Sequence, residues 1–332
     1  MKTSADLFEL FLDIDRSVQN SSRYSVLSFD CFPHKLGKTM EGYPIWFVKA
    51  QETKTPMINL SGEFISVEYG LPCSIVDNNG TQIDSVFSII TLRSVDSYLC
   101  KTFLEIFHLA LSTLPSCPED KELALKIEGM LSVFSAMKRT PVHKLQGLWT
   151  ELLVIESSSN PLEVAKAWHS SPDAKYDFTK GKYKVEVKST SSEKRTHRFS
   201  LDQLNPTENS ELLVASAIVR DSAKDENGGL SIKGVFDRIC AKIQEVDVRL
   251  HIYRVICETL GNEINKMDSK FFDYISAKDS LAFYDYRDIP HIEKENVPDF
   301  VSEVKFSSEL SHIEDIKVKG LAYPQDSLFA ML

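Results

Sequence analysis

Three side chains in one short stretch have the types and spacing of a catalytic set. In DFTKGKYKVEVKSTSSEKRTHRFSLDQL, residues 177–204, the pattern is Asp177-x8-Glu186-x-Lys188. The centre, Tyr183 to Lys188, alternates as a β-strand does, and side chains two apart on a strand point to one face. Glu186 and Lys188 therefore converge on one place, between valines that read as internal. Buried charges are costly unless they are paired or bound to a metal. With Asp177 on an adjoining strand, two carboxylates and one ammonium meet. Hard oxygen ligands of this kind hold Mg²⁺ while leaving it several waters. Such an ion polarises a phosphate and acidifies water, and a lysine beside it orients the attacking water or stabilises charge growing on phosphorus.

The same pattern resembles that of the PD-(D/E)XK nuclease superfamily, the restriction-endonuclease-like fold. GLWTELLVIE at 147–156 is similar to the helix that precedes the core sheet in those enzymes. YDF at 176–178, VEVKSTSS at 185–192 and RFSLDQL at 198–204 are similar to successive family segments. The nearest likeness is to a bacterial group of PD-(D/E)XK motif proteins associated with restriction and mobile-defence gene clusters, and it is best over residues 140–220. The resemblance implies an α/β core, a mixed central sheet flanked by helices, and a Mg²⁺-dependent deoxyribonuclease in which Mn²⁺ can substitute. It implies Asp177 and Glu186 as metal ligands, the Val187 carbonyl as an extra one, and Glu151 from the preceding helix completing the shell. Lys188 would position or activate water, and Gln203 would be the polar residue lining the site.

Other residues compete for these roles. There are four Glu-x-Lys triplets, at 52–54, 119–121, 186–188 and 303–305. The last sits in PDFVSEVKF, with a literal Pro-Asp, but Asp299 is only four residues before Glu303, too close for two paired strands between them. Only the 186–188 triplet has an upstream helix, an upstream aspartate strand, a basic surround and an apolar strand after it. Pro172-Asp173 is also a literal Pro-Asp; its setting reads as a turn, and Asp177, between Tyr176 and Phe178, is favoured. Glu156 is an alternative to Glu151, read as a helix-surface charge. His197 lies close in sequence, as a phosphate contact or a solvated loop residue. The other histidines, His169 among them, show no zinc spacing with cysteines. ENGGLSIKG at 226–234 lacks a phosphate-loop ending and reads as a strand-to-helix turn.

The 332 residues, 42% hydrophobic and 26% charged, suit an ordinary globular chain with no internal repeat. Net charge is −10, which argues against nucleic acid when taken alone, yet residues 175–198 carry eight Lys/Arg against three acids. The amphipathic N-terminus lacks the features of a signal peptide, no apolar run spans a bilayer, and six scattered cysteines read as reduced thiols. A cytoplasmic protein without membrane contact is expected. Residues 1–115 read as a β-rich module for DNA or partner recognition, following a helix at 4–20 and including a turn at DNNG, 77–80. Residues 116–332 read as the nuclease domain with C-terminal additions. Helices are expected near 94–114, 119–137, 141–157, 161–168, 231–244 and 248–261, and strands near 175–178, 182–190 and 211–219. Partners would be DNA, an ATPase/helicase or another defence-cluster subunit, and a second copy to cut both strands. The rival functions are a non-cutting or partner-dependent DNA-binding subunit and a structure-specific repair nuclease.

Overall fold

The computed structural model describes residues 4–15, 23–30, 32–49, 57–137, 145–169, 174–224, 226, 228–319 and 323–332, and the chain divides into two units, 1–138 and 139–332. Asp173, Cys31 and the Glu52-Lys54 triplet lie outside the described residues.

The N-terminal unit begins with helix α1 (Ser4–Leu12), then strands β1 (Arg23–Phe29), β2 (Phe32–Lys38), β3 (Pro44–Lys49), β4 (Leu60–Ser61), β5 (Ile65–Asp77) and β6 (Gln82–Leu92). The sheet order is β1-β2-β3-β6-β5-β4, and β1 also pairs in parallel with β5, so five strands close on themselves. Val26, Ile45, Phe47, Ile75, Phe87 and Ile89 fill part of its core. The DNNG turn is present: the Asp77 carboxylate accepts the N–H groups of Asn79 (2.9 Å) and Thr81 (2.8 Å), and Gly80 takes a φ of 79°. Helices α2 (Ser97–Leu111) and α3 (Asp120–Ala136) complete the unit. The division falls at 138/139 rather than 115/116 because α3 packs on α2, with the Phe134 ring against Phe103 (6.2 Å) and Phe107 (6.3 Å).

The C-terminal unit runs α4 (Leu145–Ser157), α5 (Pro161–Ala167), β7 (Phe178–Lys180), β8 (Tyr183–Thr190), β9 (Thr196–Ser200) and β10 (Glu211–Ile218). There follow β11 (Asp221–Ser222), β12 (Gly229–Ser231), α6 (Ile232–Lys242), α7 (Val246–Leu260), β13 (Phe271–Asp273), α8 (Tyr274–Asp279), β14 (Ala282–Asp285), β15 (Lys305–Glu309) and α9 (Ile316–Lys319). Its central sheet is mixed, in the order β14-β10-β8-β7: β8 and β10 are parallel, and both outer pairings are antiparallel. β10 reads ELLVASAI because six of its eight residues are buried, as the middle of a covered sheet requires. α4 packs against β8 and α6. It is buried from Leu148 through Glu156, so it is an interior helix rather than one with a single apolar stripe. The Trp149 indole N–H fixes it further, donating to the Leu230 carbonyl at 2.9 Å. β9 and β15 pair as a separate ribbon, and a 3-10 turn at Leu201–Leu204 continues from β9. Residues 328–331 fold back on the start of this unit: Ser159 donates its N–H (2.8 Å) and hydroxyl (3.0 Å) to the Met331 carbonyl, and Phe329 packs on Tyr183 of β8.

Among the described residues no helix is long and apolar enough to cross a membrane, and no disulfide forms; Cys73, Cys100 and Cys257 are buried.

Candidate active site

Glu186 and Lys188 do share one face of β8. The parallel register sets Val214 beside Glu186 and Ser216 beside Lys188. Val214 belongs to a core cluster with Phe199 and Leu204, so that face is the one covered by β9 and the 3-10 turn. Glu186 is 4% exposed. Its Oε1 accepts a hydrogen bond from Lys188 Nζ at 2.6 Å and another from Gln203 Nε2. The amide oxygen of Gln203 accepts the Ser200 N–H at 3.0 Å and lies 3.4 Å from Lys188 Nζ. The ammonium also sits 5.2 Å from the centre of the Phe199 ring. The lysine is thus held from three sides.

Asp177 stands one residue before β7 rather than inside a strand. Phe178 pairs with Val185, and the ladder stops there. Beyond it the Asp177 Oδ2 accepts the Val187 N–H at 2.6 Å, taking the place of a backbone acceptor and fixing the carboxylate beside Glu186. Burial, then the charges of Glu151 and Glu186, push the Asp177 carboxyl well above its ordinary value, against the pull of the Val187 N–H and Lys188. Burial also raises Glu186, although Lys188 opposes it.

Glu151, 8% exposed, comes from α4. Its Oε2 accepts the Trp168 indole N–H at 2.9 Å and lies 3.0 Å from His169 Nε2. Candidate ligand atoms of Glu151, His169 and Asp177 all lie within 4.8 Å of one another. Sequence reasoning passed over His169. It follows α5, with a left-handed φ of 39°, and its N–H donates to the Asp177 carbonyl at 2.9 Å. The one available signal was its position eight residues before Asp177 at a helix end. All the proposed side chains, Glu151, Asp177, Glu186, Lys188 and Gln203, are therefore brought together, but Glu186 leans toward Lys188 and Gln203.

Two expectations need correction. His197 is neither solvated nor on a loop: it is 4% exposed in β9, with Nε2 2.8 Å from the Ser216 hydroxyl. Burial, with Lys188 and Arg195 nearby, pushes its pKa down to about 4, so it is neutral at pH 7. Glu156 is not a surface charge. Five helical residues at about 100° each set it about 140° round α4 from Glu151. There, 4% exposed, it accepts hydrogen bonds from Lys242 (2.8 Å) on α6 and the Tyr274 hydroxyl (2.7 Å) on α8. Burial works against its charge, but these bonds and the Lys242 and Lys278 charges outweigh it, and its carboxyl lies below the ordinary glutamate value.

A depressed carboxyl contributes stability above its unfolded pKa and loses it as pH falls through the folded one. Glu156→Ala should therefore cost about 1–3 kcal/mol at pH 7, the half-exposed lysines keeping it below the full cost of a broken buried pair. The gap should narrow as pH drops below the ordinary glutamate range. Urea melts of both proteins at pH 7 and in acid check this, and metal affinity should not change.

Two cations of the run at 175–198 are paired within the chain. Lys180 pairs with Glu163 at 2.8 Å, and Arg195 donates to the Ser216 carbonyl (2.8 Å) and to that of Ser280. The decoy at 303–305 is exposed, Glu303 has a φ of 57°, and Lys305 only begins the β15 ribbon.

A mixed sheet carrying Glu186 and Lys188 on one face, an aspartate at the mouth of the same β7–β8 hairpin and a glutamate on the preceding helix define a PD-(D/E)XK protein. The family model of DUF4420, a PD-(D/E)XK family member, matches residues 34–311, and the chain belongs to that family. No curated protein and no solved structure matches the chain.

Proposed function

We propose that this protein is a metal-dependent DNA endonuclease that hydrolyses phosphodiester bonds, acting in restriction or phage defence. The observation that carries the reading is the placement of Lys188, fixed between Glu186 and Gln203 beside the Asp177 and Glu151 carboxylates. The donor set fits a divalent cation: burial, and then the neighbouring carboxylates Glu151 and Glu186, raise the Asp177 carboxyl, a strain that a bound cation would relieve. Asp177 and Glu151, with Glu186 and the Val187 carbonyl, would hold it. Bound there, a divalent ion supplies charge to a phosphate oxygen and acidity to water. The chain's own residues do the rest. Lys188 presents its ammonium to the phosphate oxygens and the attacking water. Gln203 and Glu186 prevent that ammonium from swinging away. Attack in line on phosphorus breaks the opposite P–O bond. The closed N-terminal strands would recognise DNA or a partner protein.

One observation favours a second reading, a subunit that cuts only with an ATPase or other partner. Net charge is −10, and Lys180 and Arg195 of the basic run are already paired within the chain, which leaves a modest electrostatic footprint for DNA.

Supercoiled plasmid incubated with Mg²⁺ or Mn²⁺ tests both. Nicking by wild type that is lost in Asp177→Ala supports the endonuclease. Intact plasmid with every ion, on modified and unmodified DNA, moves the weight to the partner-dependent subunit.

A further inference from the structure

We propose that His169 is a ligand of the metal in this site, and that its imidazole makes the site prefer Mn²⁺ to Mg²⁺. The inference rests on the metal centre proposed above and departs from its oxygen-only set.

The geometry divides the polar groups into two clusters. Glu186 is engaged with Lys188 and Gln203. Glu151, His169 and Asp177 form the other, with mutual ligand-atom distances inside 4.8 Å, the span one cation can bridge. His169 is built into this place by the backbone. Trp168 makes a β-bridge to Phe178, and the His169 N–H bonds the Asp177 carbonyl, so residues 168–169 and 177–178 are laced together. The His251 ring nitrogen, 2.8 Å from the Trp168 carbonyl, holds the same turn from α7.

A simpler role for His169 would be to orient Glu151. Trp168 already does that: its indole N–H bonds the same Oε2. An indole can only donate, whereas a neutral imidazole can give up one nitrogen to a metal. The ion would take the place of the proton between His169 Nε2 and Glu151 Oε2.

The ligand type then sets the ion. Mg²⁺ wants oxygen donors in a near-ideal octahedron. Imidazole nitrogen suits transition metals; Mn²⁺, the first of their affinity series, shares the oxygen donors of Mg²⁺ and gains more than Mg²⁺ does from one added nitrogen. Two carboxylates and an imidazole therefore favour Mn²⁺ over Mg²⁺.

Calorimetric titration of the full chain with each ion separately gives the first test. Wild type should bind Mn²⁺ at least ~10-fold tighter than Mg²⁺, and His169→Ala should lose ~10–100-fold in Mn²⁺ affinity, the range seen even for groups one step further from a metal. Mg²⁺ affinity should change little, so the preference collapses. His169→Ala with wild-type Mn²⁺ affinity overturns the proposal. A wild-type crystal soaked in Mn²⁺ needs no variant that folds. An anomalous peak at bonding distance from His169 Nε2 is expected, and one on Glu186 with His169 still on Glu151 overturns it. The two readings fail separately. Mn²⁺ bound through His169 without plasmid cleavage moves the weight to the partner-dependent subunit and supports the ligand. Metal-dependent cleavage with unchanged Mn²⁺ preference in His169→Ala does the reverse.

Discussion

Lys188→Ala should fold and bind metal, and the plasmid cleavage proposed for this chain should fall by about 10²–10³-fold, the cost of removing one positioned charge donor from a transition state. The magnitude follows from how firmly the ammonium is held: its side chain is 18% exposed and bonded at 2.6 Å to a glutamate that is 5% exposed. Its position is set before substrate arrives, so the wild type loses little in organising it, and the variant has nothing to replace it. Lys188→Arg should recover no more than about a tenth of the lost rate. A planar guanidinium is wider than an ammonium and is not interchangeable with it at a fitted site. Single-turnover cleavage under saturating metal measures all three proteins. A Lys188→Ala enzyme that cuts within ~3-fold of wild type would remove the lysine from the chemistry; the electrostatic cost of a positioned donor is the basis for expecting otherwise.

Asp177→Asn should abolish cleavage and yet raise the melting temperature of the metal-free protein at pH 7, by about 2–4 °C, which is the effect of ~1 kcal/mol on a unit of this size. Burial and two neighbouring carboxylates lift the Asp177 carboxyl above its unfolded value. The folded chain then binds that proton more tightly than the unfolded chain does. Stability from this group is greatest below the unfolded pKa and is lost as pH rises toward the folded one, so a cost is present at neutral pH. Asparagine removes the charge and keeps an oxygen for the Val187 N–H. The difference should vanish as pH drops toward ~4, where an aspartate takes up its proton. Saturating Mn²⁺ should reverse the order, because a ligand at 100 times its Kd adds about 2.7 kcal/mol to a protein that binds it. Thermal melts of both proteins, with and without metal and across pH, check all of this. A metal-free variant less stable than wild type at pH 7 would show that the carboxylate stabilises the fold.

Strand parity made the centre of the site legible. Glu186 and Lys188 could be put on one face because a β-strand has a period of two, and the structure shows that face. Asp177 was found through Tyr176 and Phe178, although it precedes β7 instead of lying in it. The rest depended on distances the one-dimensional pattern does not hold. His169 reaches the site through a left-handed residue between a helix and a hairpin, and no periodicity marks such a turn. Glu156 looked exposed because nothing in the sequence of α4 shows that α6 and α8 cover that side of it. His197 sits in a polar run, THRFS, whose place in the β9–β15 ribbon is set by strand pairing more than a hundred residues away. The closing of β1 onto β5 is likewise a matter of long-range pairing.

The fold-back of residues 328–331 has a consequence for the timing of synthesis. The carbonyl that receives both Ser159 bonds belongs to a residue 172 positions later, and the same segment packs on the strand that carries Glu186. At a ribosomal rate of about 5–20 residues per second, the end of α4 waits on the order of ten to thirty seconds for this partner. During that interval the nascent chain has its acidic cluster and its lysine but not the closure that seals the helix and strand holding them. Closure around the helix and strand of the site thereby waits on a segment made long after the site's own residues.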